Sequence, residues 1–68
     1  MEQTVIQVTG MSCQGCVRNI TDVLSALAGV RQAVVDLAQA TATVDYDNGQ
    51  ISRAALCLAI EEAGFDAQ

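Results

Sequence analysis

The sequence has no histidine, no lysine, no tryptophan and no proline, and its only aromatic residues are Tyr46 and Phe65. Three arginines stand against eight Asp or Glu residues, a formal net charge of −5. Binding nucleic acid takes clustered cations for the phosphates and aromatic rings for the bases, so this composition disfavours nucleic acid as a partner. The acidic balance suits a basic macromolecular partner instead. No apolar run approaches the about 20 residues of a membrane-spanning helix, so direct membrane insertion is not expected. No charged, then apolar, then small-residue leader opens the chain, so export is not expected either. Lacking histidine and a second cysteine pair, a closed tetrahedral zinc site has too few ligands within one chain.

The 68 residues are half apolar, at 51%, and are expected to form a single domain over residues 1–68. A chain of this size buries only roughly 60% of its unfolded surface, so its core is thin. The three cysteines, Cys13, Cys16 and Cys57, are an odd number and do not read as the disulfide framework of a small secreted domain. A reducing, cytoplasmic location fits them better.

Hydrophobic spacing divides the chain into six elements. "TVIQVTG" alternates as a strand, with Thr4, Ile6 and Val8 on one face. From Cys16 onward Val17, Ile20, Leu24 and Leu27 recur at helical spacing, with Arg18, Asn19, Asp22 and Ser25 opposite, and Gly29 is expected to end that helix. "VRQAVVDL" and "ATATVDY" read as two strands joined by a tight hairpin at "AQ", with Val34 or Val35 and Val44 in the core. "DNGQ" reads as a turn. Ser52 is placed to cap a second helix whose Leu56, Ala59, Ile60 and Ala63 share a face. Gly64 stops it, and "FDAQ" is a short last strand. The order βαββαβ predicts an α+β, ferredoxin-like sandwich: a four-stranded antiparallel sheet with two helices on one face.

The chemistry gathers in "TGMSCQGCVRNI". Cys13 is expected in the loop and Cys16 in the first helical turn, beside free backbone N–H groups and the positive end of the helix dipole. Such a setting favours thiolate, the metal-binding form. Gly15 is expected to let the loop fold tightly between the two sulfurs. A redox pair of the thioredoxin type is one reading, but that fold needs a longer chain, and tryptophan and proline usually surround its motif. A zinc site would need carboxylates or a second molecule to complete it. A third reading is a two-thiolate site for a soft d¹⁰ cation, Cu(I) or Ag(I), left open to an incoming third thiolate. Met11 reads as a core plug, and Cys57, lacking a partner, as a half-exposed bystander. Glu61, Glu62, Asp22 and Asp36 read as a solvated acidic face. No acid–base pair or activated nucleophile with an orienting base is visible, so catalysis is not expected.

"GMSCQGCV" resembles the G-M-x-C-x-x-C motif of the heavy-metal-associated domain family, and "IEEAGFDA" at residues 60–67 is similar to that family's closing helix and strand. The resemblance covers essentially the whole chain. It implies Cys13 and Cys16 as Cu(I) ligands, with Ag(I) or another soft ion as substitute. It also implies that Met11 packs beneath the loop without ligating, and that Phe65 lies near the loop. The function so implied is that of a cytosolic copper chaperone, transferring Cu(I) by thiolate exchange to a copper-transporting P-type ATPase or its metal-binding domain. Such a chaperone is expected to be monomeric, with a metal-bridged dimer as its alternative state. An excised amino-terminal domain of such an ATPase is the alternative that Phe65 favours. A mercury-binding relative and a thiol redox carrier are further alternatives.

Overall fold

The computed structural model describes residues 2–68; Met1, which the expected domain includes, lies outside them. The alternation of "TVIQV" makes β1 (Glu2–Thr9) a strand that buries Ile6 and Val8 on one face and leaves Gln3, Val5 and Gln7 on the other. After the cysteine loop comes α1 (Gln14–Ser25), which buries Ile20 and Leu24. Two strands follow, β2 (Val30–Asp36) and β3 (Thr41–Tyr46), and then α2 (Arg53–Glu62) and β4 (Asp66–Ala67). The sheet order is β2-β3-β1-β4, and every neighbouring pair is antiparallel. This is the expected α+β, ferredoxin-like arrangement.

One core joins the layers. Ile6, Val8, Ala42, Val44 and Tyr46 come from a single face of the sheet, and Ile20, Leu24, Leu56 and Ile60 come from the helices. Both helices therefore cover the same face. Fully burying an aliphatic side chain contributes about 1.5–3 kcal/mol, and no charged or polar residue is among the buried ones described. α2 begins as its sequence foretells, with the Ser52 hydroxyl accepting from the Ala55 N–H at 3.3 Å. It ends at the Ala63 cap, just before Gly64.

Two boundaries depart from expectation. α1 stops at Ser25 with Ala26 as its cap, four residues before Gly29. Leu27 still packs against the core, but from a turn in which its N–H donates to the Leu24 carbonyl. Gly29 serves that turn, not the helix. Its φ is +97°, and a Cβ there would stand 2.9 Å from the Ile51 methyl carbon, so both the backbone and the space require glycine.

The β2–β3 connection is a four-residue loop, wider than a hairpin closed on "AQ". Asp36 organises it, its Oδ1 accepting from the N–H groups of Ala38 and Gln39 at 2.9 and 3.2 Å. Asp36 thus has a turn-forming role that its reading as part of an acidic face missed. Of the two β2 valines expected in the core it is Val35 that faces it, half-buried against the cluster with Ala33 and Val30, while Val34 is 54% exposed.

Arg53, at the start of α2, ties distant segments together. Its Nε donates to the Thr4 hydroxyl at 3.0 Å and its Nη2 to the Gln68 carbonyl at 2.9 Å. This holds the end of the chain beside β1, where the Gln7 and Gln68 backbones exchange hydrogen bonds. β4 is only two residues long, so these ties extend the order that its own ladder supplies.

Candidate metal centre

β1 delivers the chain to Thr9, and Gly10 turns it with a φ of +98°, a conformation glycine adopts without penalty. Met11 then drops back to pack against the core, with Phe65 packing there too. A Cβ on Gly10 would lie 3.6 Å from the Phe65 ring, so the ring stands directly beneath the entry to the loop. Met11 and Phe65 therefore make the apolar floor of the loop.

Cys13 is the N-cap residue of α1, with extended backbone angles of φ −161° and ψ 174°, and its side chain makes no capping bond. The helix is nonetheless nucleated there, because the Cys13 carbonyl accepts from the N–H groups of Cys16 and Val17 at 3.1 and 3.4 Å. Serine, threonine, asparagine or aspartate at such a position typically contributes about 0.5–2 kcal/mol over an uncapped residue. That contribution is given up here, and the sulfur points to solvent instead. The first turn of α1 holds no acidic residue, so no carboxylate competes for the positive end of the helix dipole.

Cys13 is exposed and Cys16 half-exposed, and both are free thiols. Their sulfurs lie 3.9 Å apart. Two metal–sulfur bonds of about 2.3 Å span at most roughly 4.6 Å between sulfurs, so one ion reaches both thiols without rebuilding the backbone. Gly15 does not act as expected: it lies within α1, has no left-handed φ, and a Cβ there would make an ordinary 3.6 Å contact with the Cys13 sulfur. The turn depends on Gly10, and Gly15 leaves open space beside the Cys13 thiol.

Ser12 was not singled out from sequence. Hydrogen bonding from its backbone, and secondly from its hydroxyl 3.9 Å from the Cys16 sulfur, holds the Cys16 thiol below its ordinary range, against the opposing effect of desolvation and with lesser help from Cys13. The signal lay in the sequence: a hydroxyl residue four positions before a helix-start cysteine can reach it. In Ser12→Ala the hydroxyl is lost and the backbone contribution stays. The midpoint of Cys16 alkylation against pH should therefore move upward, yet remain below that of an ordinary thiol. An unchanged midpoint would show that the hydroxyl does not act on the sulfur.

Cys57 stays apart from the pair. It packs against the core from α2 and receives the Arg53 Nη1 at 3.8 Å, near the Thr4–Val5 end of β1. Among the described residues no group of three or more His, Cys, Asp or Glu side chains could hold a metal together. Arg18, Asp22, Glu61 and Glu62 are all exposed on the helices. Also among the described residues, no helix is long and apolar enough to cross a membrane.

Fold and loop together define a class: a ferredoxin-like domain that presents an exposed dithiol at an uncapped helix start. The heavy-metal-associated domain model matches residues 5–66, and the chain belongs to that family. It is 47% identical over 64 residues to copper-transporting ATPase 2 of Homo sapiens, a match that covers 94% of this chain and 4% of the ATPase. Among solved structures it is similar to a copper-binding domain from HMA7, a P-type ATPase, with a TM-score of 0.99 at 34% identity over 100% of this chain and 92% of that one. It is also similar to the CopZ metallochaperone, with a TM-score of 0.95 at 31% identity over 98% of this chain and 100% of that one.

Proposed function

We propose that this domain carries one Cu(I) ion between Cys13 and Cys16 and passes it to a copper-transporting P-type ATPase, or to such an ATPase's own metal-binding domain. The observation that carries this reading is the pair of free, solvent-reaching sulfurs 3.9 Å apart at the start of α1. Two soft thiolates suit a d¹⁰ monovalent ion, and with no third ligand gathered beside them among the described residues its coordination stays unfinished. Support also comes from the likeness to the CopZ metallochaperone, which spans that chain from end to end.

Transfer then needs no redox step. A thiolate of the recipient forms a new sulfur–copper bond, one bond to Cys13 or Cys16 breaks, and the displaced sulfur leaves as thiolate or takes a proton from water. A second exchange releases the ion, and copper stays Cu(I) throughout. The loop N–H groups and the helix dipole stabilise the thiolates before and after the exchange. The apolar floor of Met11 and Phe65 keeps water from beneath the loop. The role is that of a carrier working in the cytoplasm, with residues 1–68 acting as one domain.

A second reading is favoured by the 47% identity to an ATPase of which the chain spans about 4%: the same site acting as a metal-acquiring domain within a longer transporter. Blotting cell extract with an antibody to this domain separates the two readings by the size of the polypeptide found. For the site itself, the reduced protein should compete with bathocuproine for one equivalent of Cu(I) and should show no comparable preference for zinc. Failure against the chelator, or selection of zinc, would remove both readings. Disulfide-reductase turnover without metal would favour a thiol redox carrier instead.

A further inference from the structure

The sheet face turned away from the helices takes no part in the metal site. Strand register lays two rows across its middle: Val34, Thr43 and Val5, and beside them Gln32, Asp45 and Gln3. Val5 is 56% exposed and Val34 54%, the two large apolar side chains that this face leaves open among the described residues. Next to the valine row a groove of about 470 Å³ opens among Glu2, Gln3, Arg31, Gln32 and Asp45. The bulge between Val30 and Gln32 forms its corner, where Arg31 is the extra residue that the ladder skips. An apolar centre and a polar recess with two carboxylates and one guanidinium therefore lie side by side.

Charge narrows the choice of occupant. A second copy would bring another net −5 and no lysine, setting Asp45 against its own equivalent or near it. Anionic headgroups and nucleic-acid phosphates meet the same repulsion. A cation offered by a protein partner meets Glu2 and Asp45 in the groove while aliphatic groups beside it cover the valines. We propose that this face docks an extended, cationic protein segment, its lysine or arginine entering the groove at Glu2 and Asp45 and its aliphatic side chains lying over Val5 and Val34. The cysteine loop follows Thr9, at the far end of β1 from Glu2, so a segment held here leaves both thiols free. The inference is independent of the copper reading, and its test uses metal-free protein.

The ¹⁵N-labelled, reduced chain is titrated with a short peptide of alternating lysine and valine. Saturable amide shifts are expected at Val5, Gln32, Val34, Thr43 and Asp45, with none at Cys13 or Cys16. Val34→Lys and, separately, Asp45→Asn should each weaken binding about tenfold or more, as losing a close complementary contact does. Both positions avoid the core, and an unchanged circular dichroism spectrum checks that each variant folds. Shifts confined to Asp22, Glu61 and Glu62, no saturable binding, or unaltered affinity in both variants would overturn the proposal. So would self-association of the chain in sedimentation that Val34→Lys abolishes, since a second copy would then be the occupant.

Discussion

Cys13→Ala and Cys16→Ala are each expected to lose tight one-to-one Cu(I) binding in a bathocuproine competition, while the fold survives. Changes to groups that merely orient a ligand cost about 10–100-fold in metal affinity, and removing one of two ligands must cost more than that. Among the described residues no side chain stands ready to replace the lost sulfur. Cys57 is held at Arg53, near the Thr4–Val5 end of β1, and among the described residues no other set of metal-binding side chains gathers.

The fold should tolerate the changes because neither side chain supports it. Cys13 makes no capping bond, and neither cysteine is in the buried core. The two variants are not expected to behave alike in residual reactivity. With Cys16 alone remaining, Ser12 still favours its thiolate, and a weak one-sulfur complex can form. With Cys13 alone remaining, that assistance is gone. Native affinity in either variant would mean that the ligands lie elsewhere, and the carrier reading would fail with them.

The element order, the core faces and the position of the dithiol were legible because each rests on local pattern. Alternation in "TVIQV" gives Ile6 and Val8, the 3.6-residue period gives Ile20 and Leu24, and Ser52 caps α2 as a serine before a helix commonly does. What escaped depended on space, not on period. Helical spacing through Leu27 points to Gly29 as the end of α1, but that glycine answers to Ile51, a residue from another turn. The hairpin length was hidden in Asp36, whose side chain bonds backbone two and three residues on. Val34 and Val35 are equivalent in composition, and only register against Thr43 and Ala42 decides which one faces the helices. At the metal loop the cysteines were evident and Ser12 carried a local signal in its spacing from Cys16, yet the true turn glycine, Gly10, emerges only when the loop is closed over Phe65.

Leu24→Ala is expected to be the most damaging single change to stability. Leu24 is fully buried within the core cluster, and such truncations cost about 2–5 kcal/mol. A domain of 68 residues has roughly 3–10 kcal/mol in total, taking about 0.05–0.15 kcal/mol per residue. The variant should therefore sit near its folding threshold, with a urea midpoint that falls while the slope is retained. Copper then reports on the site. An ion bound only by the folded state would restore about 2.7 kcal/mol at a hundredfold excess over its dissociation constant. Cys13 and Cys16 are only three residues apart, however, so the unfolded chain can also close around a soft ion, and the recovery should fall short of that figure. What the folded loop adds is the helix start and the Ser12 contact, which an unfolded chain lacks. A partial rise of the Leu24→Ala midpoint with Cu(I), absent in Leu24→Ala combined with Cys13→Ala, is the expected result. No rise at all would show that the folded loop binds no better than a disordered dithiol, and that the fold contributes nothing to holding the metal.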